Sequence, residues 1–208
     1  MHLGRLHAPD TRDHGYLLAS HLPTIVRPSK KTWRIWWKGD QGNTSECVGY
    51  SWHGLLRAIP VLQREPLPNT IYTEAQKVDE WPGEDYEGTS VRAGAKALKA
   101  RGKITAYGWA FDLDTILNWL GTKGPVVLGS YWYSTMFAPD HAGVVQVGGS
   151  IVGGHAYLAI GYNEVTQRIV CQNSWGTQWG LKGRFYLSYQ DTQRLLQEDG
   201  EACTPTEG

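Results

Sequence analysis

Apolar residues at helical spacing in the first half and short β-branched and aromatic runs in the second predict an α+β chain of two lobes. The N-terminal lobe is expected to be mainly helical, and the second an antiparallel β-sheet or small barrel. The 25 glycines and 10 tryptophans suit strands, tight turns and close backbone approach. The 208 residues fit one domain. Within it the expected divisions are an N-terminal arm over 1–35, a helical lobe over 36–122, a β lobe over 123–190 and a closing helix and tail over 191–208. A ligand groove is expected at the seam between the lobes.

Residues 1–32 are polar, interrupted by Pro9, Pro23 and Pro28, and hold no sustained period, so they read as an irregular arm that wraps the rest with one short strand. From Cys47 the spacing of Val48, Tyr50, Ser51, Leu55, Leu56 and Ile59 predicts a buried helix that Pro60 stops. A second helix runs from Ser90 to about Arg101, capped by Thr89 or Ser90 and ended by Gly102. Asp112 caps a third, carrying Leu113, Ile116, Leu117 and Leu120 before Gly121. Past Gly124, strands are expected at Val126 to Tyr133, His155 to Tyr162, Arg168 to Gln172 and Gly183 to Tyr189. A helix from Asp191 to Gln197 and an acidic tail close the chain.

Charge and cysteine count narrow the function classes. Lys plus Arg and Asp plus Glu are 20 each, so there is no net field to hold nucleic acid or an anionic membrane. No apolar run approaches the roughly 18 residues of a membrane span, and no apolar signal core follows Met1, so a soluble chain in a reducing, cytoplasmic setting is expected. Three cysteines make no disulfide framework. His2, His7, His14 and His21 lie in the arm without a ligand pattern, so neither metal nor cofactor is implied. Cys171 is expected in a strand core, Cys203 in an exposed tail, and His53 in a structural role.

Cys47 stands apart because it opens a helix, where free N–H groups and the dipole shift a thiol toward thiolate. Such a nucleophile needs an imidazole and a third group to orient the ring. Gln41 precedes Cys47 by six positions, Gly153 and Gly154 lead into His155, and Asn173 opens Asn173-Ser174-Trp175-Gly176. Gln41, Cys47, the stretch GGHAYLAIGYN from Gly153 and QNSWGTQWG from Gln172 together resemble the papain-like cysteine peptidases over about residues 36–190. The stretches from Glu87 to Leu98 and Gly124 to Tyr133 are most similar to bacterial and bacteriophage members.

The resemblance implies Cys47 as nucleophile, His155 as its ion-pair partner and general acid, Asn173 as the amide orienting the ring, and Gln41 as oxyanion donor. It further implies that Trp175 covers the His–Asn hydrogen bond, that Trp179 lines the leaving-group side, and that Gly88, with Glu87 and Thr89 beside it, and Gly154 line the substrate backbone. Peptide or protein substrates follow from it. Departures are Asn43 to Glu46 before the nucleophile, without a second cysteine, Val48 in place of an aromatic residue, and short spacings from Cys47 to His155 and Asn173. Only 46 residues precede Cys47, too few for a long inhibitory propeptide. Gly154, Thr89 and Ser90 suggest an open or small side-chain pocket. His141 also precedes an alanine, but His155 is one hairpin from Asn173 and is the assigned residue.

Three readings remain open at this level: a thiol endopeptidase, a thiol amidase acting on an isopeptide or non-protein amide, and a silent binding protein of the same fold. Gln41→Ala is expected to lower turnover by about two to three decades with the fold intact, as loss of one oxyanion donor does elsewhere. Steady-state kinetics with circular dichroism checks this, and unchanged turnover removes Gln41 from the site.

Overall fold

The computed structural model describes residues 1–206. Five helices pack around one antiparallel seven-stranded sheet, an α+β arrangement. The strands are β1 Lys30–Thr32, β2 Tyr107–Ala110, β3 Val126–Tyr133, β4 Ile151–Asn163, β5 Arg168–Gln172, β6 Arg184–Ser188 and β7 Glu201–Pro205. Their order is β2-β7-β3-β4-β5-β6, with β1 on the far end of β4, so the sheet is open and not a closed barrel. The helices are α1 Cys47–Leu56, α2 Pro68–Gln76, α3 Val91–Ala100, α4 Leu113–Thr122 and α5 Tyr189–Gln197.

Local chemistry sets most of these bounds. The Ser90 hydroxyl accepts the N–H of Ala93, and Asp112 accepts that of Thr115, capping α3 and α4 as the sequence indicates. Ser188 caps α5 through the N–H of Asp191, which starts that helix two residues before Asp191. Helix α2 was not expected from periodicity. Pro68 at its first turn is a start signal, and Ile71 and Ala75 at i, i+4 are its buried stripe.

Two short strands lie outside the sequence expectation, and one corrects it. The tail is not free: β7 inserts between β2 and β3, pairing Ala202 with Ala110 on one side and with Leu128 on the other. Cys203 is consequently fully buried, against the exposed position expected. A strand paired on both edges satisfies its backbone whatever its side chains, so its weak apolar content hid it. Cys171 lies in the core beside Phe185 and Tyr157, as expected.

Helix α1 is seated by Trp52, whose indole N–H donates to the carbonyl of Val91 at 3.0 Å. Gly94 makes this possible, because a Cβ there would lie 2.3 Å from the Trp52 ring. The free N-terminal end of α1 thereby faces β4, and the seam expected between helices and sheet is formed. The arm wraps as read. It makes two 3-10 turns, Thr11–Gly15 and Leu18–His21, buries Leu18 and adds β1 to β4. Among the described residues no helix is long and apolar enough to cross a membrane.

Titration of the native chain with Ellman's reagent is expected to leave Cys171 and Cys203 unreacted, and all three thiols to titrate in guanidinium. A fast-reacting Cys203 contradicts the β7 pairing.

Candidate active site

Strand β4 and the loop after β5 bring an imidazole and an amide together. His155 Nε2–H donates to Asn173 Oδ1 at 2.8 Å, and that oxygen also accepts the Ser174 backbone N–H at 2.8 Å, fixing its orientation. The proton on Nε2 leaves Nδ1 as the basic nitrogen of a neutral ring, and Nδ1 is buried without a hydrogen-bond partner. The ring is clamped by aromatics. Trp175 stacks on it at 4.5 Å and Trp132 meets it edge-on at 4.9 Å. Trp179 abuts Trp175 at 5.0 Å and is anchored by its N–H to the Phe137 carbonyl at 2.9 Å.

The thiol arrives from the other side of the seam. Cys47 is the first residue of α1, whose N-cap Glu46 makes no side-chain cap, so the helix N–H groups stay free near the sulfur. Ala156, the residue after His155, donates its N–H to Cys47 Sγ at 3.4 Å. Gln41 is tied to the Asn173 loop twice: its N–H donates to the Ser174 carbonyl at 2.8 Å, and Ser174 Oγ donates to Gln41 Oε1 at 2.5 Å. The amide nitrogen donates to the Thr44 carbonyl of its own turn at 2.6 Å and has a second, longer bond toward the cleft. Ser174 and Trp132 escaped sequence reasoning. Ser174 beside Asn173 could have been found by asking what holds the Gln41 amide, whereas nothing local marks Trp132.

The cleft is not empty. Residues 2–6 of the arm run through it. The carbonyl of His2 accepts the Gln41 side-chain N–H at 3.3 Å and the Trp175 indole N–H at 3.2 Å. The N–H groups of Gly4 and Arg5 donate to the Gly154 carbonyl at 3.1 and 3.0 Å. Thr89 N–H donates to the carbonyl of Gly4, and Leu6 N–H to that of Thr89, each at 3.0 Å, a parallel bridge. The approach is close enough that a Cβ on Gly4 would lie 2.0 Å from the Ser45 carbonyl oxygen, and one on Gly154 2.2 Å from that of Arg5.

All ten expected positions therefore meet at this seam, with one exchange of roles. Gly88 does not pair with the extended segment: its N–H goes to the Tyr72 hydroxyl and its carbonyl to Gln76, so Thr89 presents the free backbone groups. Its absent side chain gives room to Gly4. The Glu87 carboxylate accepts from Ser45 Oγ at 2.9 Å, bracing the turn before Cys47. His141 lies exposed in a turn, and His53 is buried with Nδ1 on the Pro66 carbonyl at 2.8 Å.

Electrostatics here depart from the expected thiolate. Burial pushes the Cys47 thiol up to about 12, against the N–H groups of Ala156, Val48 and Gly4 that favour the anion. Burial likewise pushes His155 down to about 4, partly offset by Asn173. At neutral pH both are uncharged, and no ion pair exists while the arm covers them. Access of water to the pair would lower the thiol value and raise the imidazole value. The Ala156 and Val48 N–H groups stay behind to favour thiolate.

Residues 68–204 match the papain family cysteine protease family, a span that holds His155 and Asn173 and starts after Gln41 and Cys47. The chain is 35% identical over 71 residues to an uncharacterized peptidase C1-like protein of Acanthamoeba polyphaga mimivirus, 32% of this chain and 23% of that protein. It is 34% identical over 85 residues to the cathepsin B-like cysteine proteinase 6 of Caenorhabditis elegans, 40% of this chain and 22% of that protein. The matched regions thus span less than a quarter of these curated relatives. Among solved structures, xylellain, a cysteine protease from Xylella fastidiosa, aligns with TM-score 0.70 at 19% identity over 98% of this chain and 94% of its own. Digestive procathepsin L 3 of the Tenebrio molitor larval midgut aligns with TM-score 0.68 at 15% identity over 97% and 75%. The fold is papain-like.

Gly4→Val cannot keep the arm seated, since its Cβ meets the Ser45 carbonyl. Iodoacetamide is expected to alkylate Cys47 at least about tenfold faster in Gly4→Val than in the parent, with the rate–pH profile moved toward lower pH because the uncovered thiol ionises more readily. Equal rates and superimposable profiles contradict the covering role of residues 2–6.

Proposed function

Because the chain belongs to the papain family of cysteine proteases, we propose that it is an endopeptidase working through Cys47, His155 and Asn173, with Gln41 at the oxyanion. The observation that carries this reading is the Nε2–H bond from His155 to Asn173. It leaves Nδ1 of the imidazole basic and unpartnered, one residue from the N–H that contacts Cys47 Sγ.

Once the arm has left, the Cys47 proton passes to His155 Nδ1, and the sulfur adds to the carbonyl carbon of a peptide bond. The Gln41 side-chain N–H and the backbone N–H of Cys47 stabilise the oxyanion, the former now bonded to the His2 carbonyl. Collapse breaks the C–N bond, the amine takes its proton from His155, and a thioester remains on Cys47. Water then gives its proton to Nδ1 and attacks the thioester, releasing the acid and the thiol. An amide, unlike a carboxylate, at position 173 adds no charge to the imidazolium, so thiolate is its counter-ion. Trp175 keeps water from the His–Asn bond.

Within the family we read the chain as resembling bacterial and bacteriophage-type members, on the Glu87 to Leu98 and Gly124 to Tyr133 stretches. Three unpaired cysteines fit a reducing, cytoplasmic setting.

Labelling with an epoxide thiol inhibitor, followed by peptide mapping, tests the site. In the Gly4→Val chain, Cys47 is expected to be the modified residue, and casein cleavage to disappear in Cys47→Ala and fall by at least about a hundredfold in His155→Ala. Labelling spread over the three thiols, or casein left intact by a labelled, folded chain, contradicts the peptidase reading.

A further inference from the structure

We infer that the segment from Lys30 to Lys38, with a groove at each of its ends, is a docking strip for single-stranded nucleic acid, separate from the peptidase cleft. It reads Lys-Lys-Thr-Trp-Arg-Ile-Trp-Trp-Lys and lies in a run from His14 to Gly39 that holds Arg27, Lys30, Lys31, Arg34 and Lys38 but no Asp or Glu. A net charge of zero argues against a nucleic-acid partner only as an average over the chain, and the cations are not spread evenly.

Strand β1 starts the segment along β4, and the chain stays extended beyond it. Trp33 N–H donates to the Ile160 carbonyl at 2.7 Å, Trp36 N–H to the Arg57 carbonyl at 3.1 Å, and Ile35 bridges Ala58. Side chains of an extended segment alternate between its faces. Lys31, Trp33, Ile35 and Trp37 are half-buried, while Lys30, Thr32, Arg34, Trp36 and Lys38 stand exposed in one row. Successive members of that row are about 6.6 Å apart and its length is about 26 Å, the scale on which an extended nucleic-acid strand repeats its phosphates.

These cations are free to meet an anion. Among the described residues no ion pair engages Lys30, Lys31, Arg34 or Arg168, whereas Arg5, Arg27, Arg92 and Arg101 are all paired. The carboxylates nearest the ends of the strip are themselves taken: Glu164 by Arg27, and Asp40 by the Gly42 N–H. At one end a groove of about 580 Å³ is lined by Lys30, Lys31 and Arg168. Asn163 pairs with Lys30 on one side and with Arg168 on the other, so the two cations flank the groove two strand spacings apart. At the other end a groove of about 310 Å³ is lined by Trp36, Arg57 and Arg64. The Trp36 ring between them is half exposed, with the Arg34 guanidinium 3.5 Å above it, a platform on which a base can stack. A bilayer meets a protruding face, whereas this strip is concave at both ends and admits a thin chain.

Fluorescence anisotropy of the full-length chain with a labelled single-stranded oligothymidylate of about twelve nucleotides tests this. Binding is expected at low salt, with log affinity falling against log salt at a slope of about −3, as four neutralised phosphates give. Lys30→Ala with Arg34→Ala is expected to reduce that slope by about 1.4. Trp36→Ala is expected to weaken binding at least about fivefold and leave the slope as it is, since a stacking contact carries no counterion. Lys77→Ala with Lys99→Ala, at the ends of α2 and α3, is expected to change neither. All three replaced strip residues are exposed, so the variants fold, which circular dichroism checks. No binding, binding that the strip variants leave unchanged, or an equal loss in the Lys77 and Lys99 variant overturns the proposal. So does tighter binding of the duplex than of the single strand, or retention on phosphatidylserine vesicles by a chain that does not bind the oligonucleotide.

Discussion

The cleft depends on where strand β4 is held. Its residues from Ile151 to Ala159 pair with β3, those from Leu158 to Asn163 with β5, and Gly161 to Asn163 also with β1, so pairing holds the strand along its length. That register fixes the N-terminal half, where one short stretch does three things. Gly154 offers its carbonyl to an extended chain, His155 presents its imidazole, and Ala156 gives its N–H to the sulfur of Cys47. A slip of one residue would turn His155 to the opposite face and undo all three. Everything brought to the site from elsewhere, α1 through Trp52 and the Gln41 turn through Ser174, docks against this strand.

The arm uses the same carbonyls and N–H groups that an extended substrate needs, but its pairing with Thr89 is parallel. Being part of the chain, it competes at an effective concentration on the order of mM, so a free peptide at ordinary levels faces a closed site. Its hold is distributed over backbone bonds each contributing about 1 kcal/mol and over the buried Arg5–Glu201 pair, whose net contribution is small because both ions were well solvated outside. Residues beyond it are integrated differently. Arg92 on α3 binds the Ala8 carbonyl and Asp13, and Leu18 is in the core, so residues 2–6 can leave while the remainder of the arm stays. Burial keeps the Cys47 thiol protonated and the His155 ring neutral.

Much of this was legible in the sequence. Caps at Ser90 and Asp112, apolar spacing from Cys47 and the strand runs at Val126 and Arg168 gave five elements with nearly their observed bounds, because each is set by local chemistry. Gln41, Cys47, His155 and Asn173 were recognisable because their residue types and order resemble the papain-like motifs. What stayed hidden is non-local. β7 is a strand only by virtue of neighbours 72 to 98 positions away. Residues 2–6 carry no pattern that places them in a cleft.

Residues 2–6 occupy the cleft, and the thiol of Cys47 reacts only once they leave it. Hydrogen–deuterium exchange of the full chain, before and after modification of Cys47 by an epoxide inhibitor, tests it most directly. The amides of Gly4, Arg5 and Leu6 should be protected in the free protein and exchange within seconds once the inhibitor holds the cleft, while the amides of β4 past Ala156 stay protected in both. Fast exchange of residues 4–6 in the free protein, or protection unchanged by the inhibitor, contradicts it.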